Sequence, residues 1–253
     1  MNIKYVLTAV NENNLYIDFI PIFIKAWESL YEIEVKIILI MNEIPSKFLH
    51  VKDNIILFKP INNLSTVFQS QVIRLLYPSL LNTNDGILIT DIDMIPLNKT
   101  FFTNCLKTID ETNFVNIAHS TNCGLEQYQM CYNIANSIIW NEIFNINTED
   151  DIIIRMMEIH NRIILENKIY WVSDQYSLYY YLNKWNKHDI NFKFLDVNFT
   201  NTKLLCRNFK KYILDFSSEL QNKIKHGFYT DYHMLRPYIE YKEINDKILN
   251  III

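Results

Sequence analysis

The sequence predicts an α/β fold with a mixed, mostly parallel central sheet flanked by helices. Two observations carry this expectation. Apolar runs alternate with helical patterns through the first hundred residues, which is the pattern of strands joined by crossover helices. The chain has 253 residues, 49% hydrophobic and 21% charged, enough for one substantial core and typical of a folded globular protein. It reads as one domain over residues 1–253, with no repeat and no linker.

Residues 5–10 form the first expected strand, residues 15–31 a helix rich in Ile, Phe and Trp, and residues 34–41 the second strand. Proline is tolerated in a first turn and kinks a helix interior, so Pro21 places the start of that helix near Ile20 or bends it there. Residues 54–58 read as a third strand ended by Pro60. Ser65 or Thr66 can cap a helix whose buried face is Val67, Phe68, Val72, Ile73, Leu75 and Leu76. Pro78 stops it near Tyr77. The turn cluster at 82–86 then releases the chain through Gly86 into the apolar run Ile87-Leu88-Ile89-Thr90.

The second half is less regular. Residues 114–118 and 130–134 read as strands, and 138–144 as a helical or extended apolar segment. Helical spacing covers 152–165 and 175–185. Residues 192–197 and 212–216 look like late strands, and 240–252 like a charged helix with an apolar tail.

Composition excludes several classes. A net charge of −4 leaves no electrostatic footprint for nucleic acid, and no Lys/Arg block suggests a membrane patch. The N-terminal apolar run lacks the length and cleavage site of a signal peptide, and no run approaches the roughly 20 apolar residues of a membrane span. A cytoplasmic, soluble protein is expected. Cys105, Cys123, Cys131 and Cys206 lack Cys-x-x-Cys spacing and read as free thiols.

The residues that carry chemistry follow the fourth apolar run: Asp91-Ile92-Asp93. On a strand, residues i and i+2 share a face, so Asp91 and Asp93 can converge on one ion. Hard oxygen ligands select Mn2+ or Mg2+. The carboxyl end of a central strand is also where open α/β sheets bind ligands.

The stretch GILITDIDMIPL (86–97) resembles the strand, D-x-D motif and hydrophobic-Pro turn of the GT-A glycosyltransferases, nucleotide-sugar-dependent enzymes with a Rossmann-like fold, and is closest to the family-8-like members. Further segments resemble that family in order along nearly the whole chain. QSQVIRLLYPSLL (69–81) is similar to its arginine-bearing helix, implying Arg74 near the nucleotide. YVLTAVNEN (5–13) resembles its first strand, implying Thr8, Ala9, Val10 and Asn11 at the base and ribose. YNIANSIIW (132–140) is similar to a strand at the sugar, implying Asn136, although the family often has glycine near Ala135-Asn136. WVSDQYSLYYYL (171–182) resembles the pair, here Asp174-Gln175, that opens a helix beside the donor sugar. DYHMLRPY (231–238) resembles the segment in which a histidine joins the metal and a basic-Pro-aromatic trio meets the diphosphate. The resemblance therefore implies Asp91, Asp93 and His233 as metal ligands, with Ile92 and Arg236 at the donor. The histidine spacing departs from the family's: His233 precedes Arg236 by three residues and His226 by ten, and His233 is favoured.

What this implies is a metal-dependent transferase moving a sugar from a nucleoside diphosphate, UDP in preference to GDP, to a glycan, protein or small acceptor. Each residue also has a plainer reading. An isolated Asp-x-Asp is more often a turn or cap, Asp174 is well placed to cap its helix, His233 can be a satisfied core histidine, and Arg74 and Arg236 can be helix flank and surface charge. The aromatic series Tyr170, Trp171, Tyr176, Tyr179, Tyr180, Tyr181 and Trp185 reads as mostly core. The alternatives are a degenerate transferase fold kept for glycan binding or assembly, and a haloacid-dehalogenase-type phosphotransferase, whose Asp-x-Asp belongs on a first strand.

Overall fold

The computed structural model describes residues 1–119 and 126–253; Cys123 lies outside them. A seven-stranded sheet runs in the order β3 (Ile55–Phe58), β2 (Glu34–Ile40), β1 (Ile3–Asn11), β4 (Gly86–Ile89), β7 (Asn133–Ala135), β6 (Phe114–Ile117) and β8 (Phe192–Leu195). Strands β3, β2, β1 and β4 are mutually parallel, β7 is antiparallel to both neighbours, and β8 is parallel to β6. The mixed, mostly parallel sheet is thus the expected one.

Both faces of the sheet are covered, which is why its strands are almost continuously apolar. The pleat sends alternate residues to opposite cores. Val6, Ile37 and Leu88 join the core beneath helix α1 (Ile20–Tyr31), while Leu7, Ile38 and Ile89 join the other, with helices α2 (Thr66–Leu76), α4 (Ser137–Phe144), α5 (Glu149–Leu165) and α6 (Ser173–Lys184). A short helix, α3 (Phe101–Leu106), packs Phe102 against Trp27. Helix α1 begins at Ile20 with Pro21 in its first turn and ends on Glu32 in the left-handed region. Gly86 is required by close approach: its N–H donates to the Asn2 carbonyl at 2.7 Å, and a Cβ there would lie 2.8 Å from the same oxygen.

Several expectations need correction. The Asp-x-Asp segment is not strand: β4 stops at Ile89, and Asp91–Asp93 turn the chain, closed by the Met94 N–H on the Asp91 carbonyl at 3.1 Å. The same-face argument therefore does not hold, and the two carboxylates meet different partners. Residues 94–96 form β5 of a second sheet, ordered β5–β10–β9, with β9 (Leu204–Leu205) and β10 (Asp231–His233). Residues 212–216, expected as a strand, lie in a helix (Lys210–Asp215) that ends on Phe216 in the left-handed region; a short apolar run does not distinguish the two. Asp174 is not an N-cap but sits inside the first turn of α6, which starts at Ser173. Of the aromatic series, Trp185 is buried, whereas Trp171 is 58% exposed. Tyr176 and Tyr181 pack against the core, Tyr181 on Phe144, while the Arg162 guanidinium lies over Tyr180. No helix among the described residues is long and apolar enough to cross a membrane.

Candidate active site

The carboxyl ends of β1 and β4 open onto a cleft of ≈ 330 Å³, within the range of small-molecule sites. Strand β1 contributes Ala9, Val10 and Asn11, the turn after β4 contributes Asp91, Ile92 and Asp93, and α2 contributes Arg74. Asp174 and Gln175 enter from α6, and His233 and Arg236 from β10 and its exit. Two expected residues stand apart. Thr8 is buried inside β1. Asn136 caps α4, accepting the Ile139 N–H at 3.0 Å and donating to the Glu111 carbonyl. His226 is exposed just beyond its helix, so of the two histidines weighed His233 is the one in the cleft.

Arg74 organises one side. Its guanidinium bonds Asp91 and the Thr90 carbonyl, the latter at 3.2 Å, and its other terminal nitrogen donates to Asp174 at 2.5 Å. The Arg74 and Asp174 side chains are 9% and 3% exposed, against 38% for Asp91. Burial lowers the Arg74 pKa, but the charges of Asp91 and Asp174 more than offset it and hold the guanidinium above its ordinary value. For Asp91, partial desolvation is outweighed by Arg74, then the Cys131 thiol donating at 3.1 Å, then the charge of His233, and the pKa falls below the carboxylate range. Burial holds Asp174 above that range: it outweighs the lowering by the Arg74 guanidinium, and the like charge of Asp91 adds to the rise. Its other oxygen accepts the Gln175 N–H at 2.8 Å.

The second sheet builds the other side. Pairing of His233 with Met94, and the Met234 N–H on the Asp93 carbonyl at 2.9 Å, place the histidine beside the turn. Pairing of Leu204 and Leu205 with Asp231 and Tyr232 then carries Arg207 to the same point. The Asp93 carboxylate, 4% exposed, has one oxygen hydrogen-bonded by Arg207, 3.3 Å from His233 Nε2 and 3.8 Å from Arg236 Nη1. Arg236 also contacts the Tyr16 hydroxyl, its guanidinium 4.9 Å from that ring.

Beneath these, Asp231 is fully buried and accepts from Tyr132 and Thr230, each at 2.7 Å, with His119 Nε2 at 3.1 Å. Burial lowers the His119 pKa, and the Asp231 carboxylate raises it further in the opposite sense, leaving it above the usual imidazole value.

Sequence reasoning did not single out Arg207, Tyr16, His119 or Gln71, and set Trp171 aside. Arg207 lies in no motif, and only the β9–β10 pairing brings it in. The exposure of Trp171 at the cleft, with its carbonyl accepting from Gln71 at 2.7 Å, had no periodic signal to announce it.

The donor chemistry fits a hard divalent cation: two carboxylates on one turn, and an imidazole close enough to act on both. Among the described residues no three His, Cys, Asp or Glu side chains are already gathered as a ligand set; the Arg207 guanidinium takes the Asp93 oxygen that faces His233.

No protein-family model matches the chain, and no curated protein matches it. Solved structures share its fold. The glycosyltransferase GlyE of Streptococcus pneumoniae TIGR4 superposes on 99% of this chain with TM-score 0.51 and 14% identity; this chain spans 63% of the length of that one. An active-site mutant of LgtC covers 96% of this chain and 95% of its own, with TM-score 0.50 and 12% identity. A glycosyltransferase involved in glycosylation of the major capsid of PBCV-1 covers 98% and 99%, again with TM-score 0.50 and 12% identity.

Proposed function

We propose that this chain, whose fold is that of the GT-A glycosyltransferases, is a metal-dependent glycosyltransferase that takes a sugar from a nucleoside diphosphate, UDP in preference to GDP, and passes it to an acceptor hydroxyl on a glycan, protein or small molecule. The observation that carries this reading is the carboxylate pair at the end of β4, ringed by three guanidiniums. Three carboxylates, Asp91, Asp93 and Asp174, face Arg74, Arg207 and Arg236 in one cleft. Such a set of side chains is matched in formal charge, and a cation and an anion entering together keep that match.

Asp91 and Asp93, with His233, would hold Mn2+ or Mg2+, which supplies Lewis-acid stabilisation of the leaving diphosphate. Arg236 and Arg207 present positive charge to the same group, and act best in a cleft that excludes water. Ala9, Val10 and Asn11 line the end of β1, where an α/β sheet receives a nucleoside. Asn11 is steadied by donating to Thr66 Oγ1 at 3.0 Å. Asp174, positioned by Arg74, and its neighbour Gln175 face the donor sugar. The raised Asp174 pKa reflects desolvation, and the carboxylate serves to orient sugar hydroxyls or to receive a proton from the acceptor.

A thermal-shift screen of UDP- and GDP-sugars, with and without Mn2+, tests the proposal and identifies the donor. Ligand at about 100 times its Kd adds about 2.7 kcal/mol, which raises Tm by roughly 5–10 °C for a chain of this size. A shift that needs both nucleotide and Mn2+ supports the reading. No shift with any nucleotide sugar contradicts it.

A further inference from the structure

Resting on that reading, we propose that Arg207 is a ligand of the donor diphosphate that guards the cation site until the donor arrives. The same Asp93 oxygen that faces His233 is occupied by the Arg207 guanidinium, so a cation and Arg207 compete for it.

The three guanidiniums of the cleft are not held alike. Arg74 is fixed by Asp91, Asp174 and the Thr90 carbonyl. Arg236 is braced by Tyr16. Arg207 has one hydrogen-bonded partner among the described residues, Asp93, and its side chain is 23% exposed. It is the guanidinium that can change partner without dismantling the fold. Its backbone lies two residues beyond the two-residue strand β9, at the start of a single turn of 3-10 helix (Arg207–Phe209).

Charge supplies the reason for the exchange. The three carboxylates and three guanidiniums of the cleft offset one another in formal charge. A divalent cation alone would leave excess positive charge beside a nearly buried carboxylate, and a diphosphate alone would leave excess negative charge. Each is costly where solvent is scarce. Entering together they restore the balance, with Arg207 moving from Asp93 to a phosphate oxygen, a planar fork matched to that group. Cation and nucleotide therefore bind cooperatively, each strengthening the other by the same factor.

Calorimetric titration of MnCl2 and of UDP, each alone and with the other saturating, tests this on wild type and R207M, with GDP in a parallel arm. In wild type, UDP is expected to tighten Mn2+ binding by about tenfold or more. R207M is expected to bind Mn2+ alone about tenfold more tightly than wild type, to bind UDP about tenfold more weakly when Mn2+ is saturating, and to lose most of the mutual strengthening. R207Q serves the same comparison should R207M fold poorly. A wild type that binds UDP with Mn2+, and an R207M that titrates identically, overturns the role of Arg207 and leaves the transferase reading standing. A wild type that binds neither Mn2+ nor UDP or GDP overturns both.

Discussion

Replacing Arg74 with Met removes the guanidinium between Asp91 and Asp174 while keeping much of the buried side-chain length. The two carboxylates fare differently. Asp91 is 38% exposed and retains the Cys131 thiol, so water can take up its charge. Asp174 is 3% exposed and would keep only the Gln175 N–H. Leaving one partner of a buried pair unmatched costs about 3–5 kcal/mol, a fall in Tm of roughly 10 °C for a chain of this length. The loss has a signature in pH. The Asp174 pKa is already raised, and losing Arg74 raises it further, so the folded variant binds more protons than the unfolded chain. Its stability then increases as pH falls through the folded pKa, and the deficit measured near pH 8 shrinks towards about pH 4. R74M/D174N, which removes both charges, should recover most of the loss. Urea unfolding at several pH values measures all three. A deficit below about 1 kcal/mol, one that does not change with pH, or one that D174N fails to relieve would refute the view that Arg74 compensates a buried charge.

Two further outcomes follow from local geometry. Thr148 Oγ1 accepts the Asp151 N–H at 3.2 Å, while Asp151 accepts the Thr148 N–H at 2.9 Å, a reciprocal cap on α5; T148A should cost about 1 kcal/mol, read as a small drop in the urea midpoint. His119 has a raised pKa against Asp231, so its stabilising contribution is complete below the unfolded value of about 6.5 and is lost as pH rises through the folded value. Wild-type stability should fall over that window, and H119Q should flatten the slope; an unchanged slope would show that the pair is not charged.

Much of the fold was legible because buried strands and helix punctuation leave strong local marks: the run before Asp91, Pro21 in the first turn of α1, and Pro78 just beyond α2 all read correctly. The second sheet did not, because β5, β9 and β10 are two or three residues long and carry no usable period. Half of the site follows directly from that sheet. His233 was recognisable from its segment, whereas Arg207 reaches Asp93 only through strand pairing across more than a hundred residues of sequence. Asn136 shows the reverse case: an asparagine within a promising segment whose side chain caps α4. Of the aromatic series read as mostly core, Trp185 is buried and Tyr176 and Tyr181 pack against the core, whereas Tyr180 lies under Arg162 and Lys184 and Trp171 is exposed, a division that periodicity in apolar residues cannot reveal.

Donor hydrolysis tests the central claim most directly. UDP release from a panel of UDP-sugars should require Mn2+ or Mg2+, stop when EDTA is added, and fall about a hundredfold or more in D93A. Release that is indifferent to both chelator and D93A, or no release from any nucleotide sugar, would contradict the account.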